Sequence, residues 1–223
     1  MTMRRAAVLG KGTLAAHACE VITSLPDTVL DTVIPNAPEP DWDISLSGFV
    51  EHHWPDTRVL RSGDWRDLEP GLCDLVVSVL YDKIIGPSLI NGTRHIINCH
   101  PGRLPAYRGA RPVNWALHNR DIQAGITIHV IDDGIDSGPI LAEALFSIWP
   151  DIDEVADVWD RAMAHGRLLI ADTLPRLDAI TPRPQDETRA ATHYRRDTPL
   201  LGDRDGWTRT MTRASRREDP GSG

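Results

Sequence analysis

Several things are scarce in this 223-residue chain, and each scarcity excludes something. No apolar run approaches the roughly 18–20 residues needed to cross a bilayer. The N-terminal "MTMRRAAVLGKGT" carries two arginines with only "AAVLG" behind them, too little for a secretory core. Both points lead us to expect a cytoplasmic protein with no membrane partner. The three cysteines, Cys19, Cys73 and Cys99, lack the pair spacing of a metal site and sit in apolar contexts, so they read as buried reduced thiols. Basic residues are outnumbered 24 to 32, and a net charge of -8 counts against a nucleic acid as the main partner. Lysine is nearly absent, with only Lys11 and Lys83. No G-x-S-x-G elbow is present, so nothing points to a serine nucleophile.

What is present is a periodic α/β pattern. "AAVLG" (6–10) reads as a buried strand and "KGTLAAHACEVITSL" as a helix, with Gly10 and Gly12 at the turn between them. Further strands are expected at 28–34, 57–60, 73–81 and 95–100. The unbroken apolar run "CDLVVSVLY" has the character of a central strand covered on both faces. A helix is expected at 110–119, an alternating strand at 125–131 and an extended segment at 138–148. A long amphipathic helix at 151–177 follows, capped by Asp151 or Asp153. Trp115 and the set Val155, Val158, Trp159, Met163 and Leu169 read as core. The fold class is therefore α/β, a doubly wound, mostly parallel sheet. It occupies residues 1–180, and a C-terminal extension follows at 181–223. There "ATHYRR" (191–196) is expected to form a hairpin with "WTRTMT", ahead of a disordered tail.

The strand "HIINCH" ends in Asn98 and His100, two residues apart and hence on one face. Ligands of open α/β sheets lie outside the carboxyl ends of the strands, which is where this pair would stand. Pro101 and Pro105 stiffen the outgoing loop. A second polar cluster, "GITIHVIDDGIDSGPI" (125–140), offers Thr127, His129, Asp132, Asp133 and Asp136. A zinc set built from His95, Cys99, His100 and His129 fails on geometry, because Cys99 and His100 should point to opposite faces, so no metal is expected. "GKG" (10–12) reads either as a phosphate-binding turn or as a plain strand-to-helix turn.

Taken together, "INCHPGRLPAYRG" and "GITIHVIDDGIDSGPI" resemble the folate-dependent formyltransferases. Asn98, His100, Pro101, Leu104, Pro105, Tyr107, Arg108 and Gly109 match the first signature of that family. His129 and Asp136 match the second, seven residues apart, and Asp136 stands 36 positions after His100. Relatives commonly carry Ser where Gly102 stands here.

The resemblance implies a Rossmann-like formyltransferase fold and transfer of a formyl group from N10-formyltetrahydrofolate to an amine. It implies Asn98, His100 and Asp136 as the catalytic trio, with His129 in support. Its folate-binding segments correspond to Leu80, Tyr81, Asp82, Ile84 and Ile85, and to Asp132, Asp133, Gly134 and Ile135. Gly10, Lys11, Gly12, Arg103, Tyr107 and Arg108 are the candidates for acceptor binding. Transfer passes through a tetrahedral oxyanion. The Asn98 amide and a protonated His100 are the expected donors to it, and Asp136 is expected to orient His100.

The acceptor expected is a small-molecule amine, either a nucleotide-linked amino sugar or an amine of a specialised pathway. The extension is expected to cover the acceptor pocket or to pair with a second copy as a homodimer. The alternatives are hydrolysis of the formyl-folate, a methionyl-tRNA formyltransferase-like enzyme without its tRNA domain, and a non-catalytic folate- or nucleotide-binding protein.

Overall fold

A computed structural model describes residues 3–202. The chain runs through β1 (Arg4–Gly10), α1 (Gly12–Ser24), β2 (Thr28–Pro35), α2 (Leu46–His53), β3 (Arg58–Val59), β4 (Leu75–Val79), α3 (Pro87–Gly92) and β5 (His95–His100). It continues through β6 (Arg108–Gly109), α4 (Pro112–His118), β7 (Gln123–Val130), β8 (Ile140–Ser147), α5 (Val155–Thr173) and β9 (Thr192–His193).

A seven-stranded sheet has the order β3-β2-β1-β4-β5-β7-β8. Pairing is parallel from β3 to β5, and β7 and β8 then add antiparallel. The strand order reverses between β1 and β4, which opens a crevice at the strand ends.

Alternation sorts the side chains. Ala6, Val8, Val77, Ile97 and Cys99 join α1 and α5 in the main apolar cluster. Ala7, Leu9, Val76 and Ile96 pack on the other face with Trp65, Leu68 and Leu89. Asn98 and His100 continue the Ile96 row, so a two-residue period carries apolar packing directly into polar chemistry.

Three local expectations change. The cap of α5 is Glu154, in a reciprocal capping box with Asp157, rather than Asp151 or Asp153. Asp153 is otherwise committed, accepting from the Trp149 amide at 2.7 Å and from Arg161 at 2.6 Å. The helix stops at Thr173 rather than running to 177, because Pro175 follows and the chain tightens into a 3-10 turn over Leu174–Ala179.

In the extension, the expected strand shrinks to β9. It pairs in parallel with β6, and a 3-10 turn over Arg195–Leu201 follows it. The proposed partner "WTRTMT" lies outside the described residues. Helices α2 and α3 were not anticipated. They are short, and both contain glycine, which masks their helical period.

Candidate active site

Strand pairing does what chain proximity cannot. Asn98 on β5 sits opposite His129 on β7, and His100 sits opposite Thr127. Loop 131–139 between β7 and β8 then folds back to deliver Asp136. The Asp136 Oδ2 lies 3.3 Å from His100 Nδ1, and Oδ1 lies 3.3 Å from His129 Nε2. The Asn98 Nδ2 is 3.3 Å from Asp136 Oδ1 and 3.2 Å from His129 Nε2. One carboxylate thus meets two imidazoles and a carboxamide, with both imidazoles buried and Asn98 and Asp136 half-buried.

The outer ring nitrogens are anchored to backbone. His100 Nε2 donates to the Tyr107 carbonyl at 2.7 Å, and His129 Nδ1 donates to the Val130 carbonyl at 2.8 Å. The inner nitrogens, His100 Nδ1 and His129 Nε2, are left turned towards Asp136.

Burial pushes His100 down, against the upward pull of Asp136, and the net direction is below the ordinary imidazole value. That direction runs against the protonated donor expected from sequence. Burial pushes the Asp136 carboxyl up, but His100, His129 and the Gly109 amide outweigh it and leave it well below the usual carboxylate range. The Gly109 amide donates to Asp136 Oδ2 at 2.8 Å. An ionised Asp136 beside an imidazole whose charge burial disfavours makes a pair that can hold one proton between them.

Thr127 fixes the loop after β5. Its hydroxyl donates to the Gly102 carbonyl at 2.7 Å. A Cβ on Gly102 would stand 2.6 Å from His100 Nε2 and 2.7 Å from Pro112 Cβ. Gly102 is therefore what permits this ring position, and Gly102→Ala should displace His100. We expect a stability loss of about 1–3 kcal/mol in thermal melts, accompanied by loss of turnover.

The cluster opens into a cavity of about 930 Å³, within the size range of small-molecule sites. Leu80, Tyr81, Asp82, Ile84, Ile85, Asp132, Gly134 and Ile135 line it; Asp133 is exposed and does not. Segment 80–86 is anchored from behind. Tyr81 Oη and Lys83 Nζ donate to the Gly63 carbonyl at 2.7 and 2.6 Å, and Trp65 Nε1 donates to the Ile84 carbonyl at 2.8 Å. The other loop is held by Asp132, whose Oδ1 accepts from Gly134 N at 3.1 Å and Ser137 Oγ at 2.7 Å.

Of the acceptor candidates, only Lys11 lines the cavity. Tyr107 Oη donates to Asp121 at 2.6 Å, and buried Arg108 is committed to Gln185 and Glu187. Arg103 lies away from the cavity. The turn at Gly10 and Gly12 is closed by Asp43, which accepts from Thr13 N at 3.1 Å and from Thr13 Oγ1 at 2.6 Å. The α1 N-terminus thus already holds a carboxylate, which opposes the phosphate-binding reading of "GKG".

Sequence reasoning missed Trp42, Trp159, Arg111, Asn114 and Arg195 as residues that line the cavity. Trp159, expected in the core, is half-buried: it packs against the apolar cluster of α4 and α5, and its ring lies 6.3 Å edge-on from that of Trp42. It also missed Gln185, which sits in a proline-flanked run with no periodic signal. Among the described residues, no group of three or more His, Cys, Asp or Glu is arranged to hold a metal ion, and no helix is long and apolar enough to cross a membrane.

A family model described as formyl transferase matches residues 11–173. Methionyl-tRNA formyltransferase of Geobacter metallireducens is 38% identical over 142 residues, covering 63% of this chain and 43% of the relative. The enzyme of that name from a Synechococcus species is 36% identical over 126 residues, covering 55% and 39%. The chain spans less than half the length of these two relatives. Among solved structures, the N-formyltransferase of Helicobacter canadensis, in complex with folinic acid and dTDP-3-aminofucose, superposes with a TM-score of 0.74 at 22% identity, covering 87% of this chain and 72% of that one. Phosphoribosylglycinamide formyltransferase of Bacillus halodurans superposes with a TM-score of 0.66 at 25% identity, covering 78% and 95%.

Proposed function

The chain belongs to the folate-dependent formyltransferase family, and from that premise we propose that it moves a formyl group from N10-formyltetrahydrofolate to a small-molecule amine. The observation that carries this reading is Asp136, held 3.3 Å from both His100 Nδ1 and His129 Nε2 at the floor of the cavity.

The substrate suits the walls. Leu80, Ile84, Ile85, Ile131 and Ile135 offer apolar surface to a flat ring, and the backbone of the two anchored loops offers donors and acceptors to its edge. Asn98 supplies an amide N–H to the formyl oxygen as negative charge develops there. Its two contacts in the free protein are long, and substrate replaces them. The amine attacks the formyl carbon and must lose a proton. Asp136 and His100 take up that proton together, because a carboxylate beside a neutral imidazole stabilises the imidazolium that forms. The proton then passes to the departing folate nitrogen as the carbon–nitrogen bond breaks. No covalent link to the protein forms.

The acceptor we favour is an amine carrying an anionic group and a flat ring, of which a nucleotide-linked amino sugar is one class. Lys11 Nζ lies 5.9 Å from the centroid of Trp42, and Arg111 and Arg195 line the same cavity. That combination suits a phosphate beside a base. The structural neighbour from Helicobacter canadensis supports this reading by analogy, and the methionyl-tRNA relatives support a tRNA acceptor instead.

The experiment is to incubate the protein with N10-formyltetrahydrofolate and a panel of amines, namely amino sugar nucleotides, small amines and initiator methionyl-tRNA. Appearance of tetrahydrofolate is followed by absorbance and the product by mass spectrometry. We expect amine-dependent release with a nucleotide-linked amino sugar. Formate release that ignores every amine would instead mark a hydrolase. No turnover and no affinity for reduced folates would defeat the proposal.

A further inference from the structure

Gln185 is the only residue from 181 to 189 that is not exposed. Its carboxamide is used at both ends. Nε2 donates to the Asp136 carbonyl at 2.8 Å and to the Gly138 carbonyl at 2.7 Å. Oε1 accepts from Arg108 Nε at 3.0 Å and Nη2 at 2.9 Å. Neighbouring chemistry fixes this orientation, since carbonyls only accept and a guanidinium only donates. The rest of the Arg108 fork goes to Glu187, at 2.6 and 3.0 Å.

Asp136 has a φ of 48°, a left-handed conformation that a non-glycine residue keeps only where its surroundings impose it. Its carboxylate is held by the Gly109 amide, and Gly109 is itself locked into the β6–β9 pair. There Arg108 N donates to Ala191 O at 2.9 Å and Ala110 N donates to His193 O at 2.7 Å. The segment from 183 to 193 therefore secures Asp136 at its backbone directly and at its side chain through Gly109. The same segment contributes no residue to the three apolar clusters. It is a strap on the site loop and no part of the core.

We infer that Gln185 is a positioning residue, which holds the backbone of Asp136 so that its carboxylate is aimed between His100 and His129. This rests on the reading of Asp136 as the proton-accepting carboxylate.

Two variants test it. Gln185→Met keeps the length and removes both polar ends. Gln185→Glu keeps an oxygen for Arg108 but turns the other end from donor to acceptor, against two carbonyls. The Asp136 carboxyl is followed by carbon-13 NMR titration, which needs no substrate, and kcat and KM are measured alongside. We expect the Asp136 titration to move up towards the ordinary carboxylate value of about 3.9 in both variants. We expect kcat to fall by about ten- to a hundredfold, with KM for the formyl-folate changed by less than about threefold. A titration that superimposes on that of the unsubstituted chain, in either folded variant, overturns the inference, and so does a kcat within about twofold. If the titration moves but no formyl transfer is found with any acceptor, Gln185 keeps its positioning role and the functional reading alone falls.

Discussion

Replacing Asp136 by asparagine is expected to lower kcat by about 10³-fold while leaving the chain folded. The exchange keeps the shape of the side chain, and an oxygen remains to accept from the Gly109 amide. What disappears is the charge. Asp136 is the carboxylate that faces both His100 Nδ1 and His129 Nε2, and its attraction works against the burial that lowers His100. Without it His100 should protonate only at still lower pH, and the proton released by the attacking amine has no counter-charge to settle beside. Stopped-flow or steady-state turnover gives the rate, and circular dichroism gives the fold. Affinity for formyl-folate should be nearly unchanged, because the surface proposed to bind it comes from the loops at 80–86 and 132–135. A folded Asp136→Asn chain with turnover within tenfold of the starting rate would remove Asp136 from the proton path.

Asn98→Ala should lower kcat by about 10²–10³-fold, with little change in KM. In the proposed reaction Asn98 meets the formyl oxygen only as charge builds on it, so the loss should fall on the transition state and not on binding. The residue is half-buried at the end of β5, and the truncation leaves a small polar gap beside His129, with no apolar packing lost. The double variant Asn98→Ala, Asp136→Asn is the sharper measurement. Groups that serve one step as a unit give losses that do not add. The double variant should therefore be little slower than Asp136→Asn alone. Fully additive losses would mean that Asn98 and Asp136 act at separate steps.

Much of the site could be read from the sequence because its parts obey short-range rules. A two-residue period puts Asn98 and His100 on one face of a strand. The proline-rich exit stiffens the loop beyond them. Asp136 stands in a glycine-punctuated loop, where a side chain can be aimed. The strands around them announced themselves as apolar runs, and β5 has the bounds expected of it. The cap of α5 differs from the expected one because three acidic residues stand close together, and the Trp149 amide and Arg161, eight residues on, withdraw Asp153 from the helix end. Tyr107 and Arg108 were read as reaching an acceptor. In the fold they face inward, to Asp121 and to the Gln185–Glu187 strap, because the loop that carries them pairs with β9.

The sequence on its own determined the kind of sheet, the strand that ends in chemistry, and the residue types assembled there, since periodicity and chain stiffness are properties of neighbouring residues. The tertiary structure alone decided that His129 faces Asn98, that a backbone amide of Gly109 and the carboxamide of Gln185 hold Asp136, and that burial works against charge on His100. Those outcomes depend on the register between strands distant in the chain and on how far each group is withdrawn from water, and neither quantity is written in any local stretch of residues.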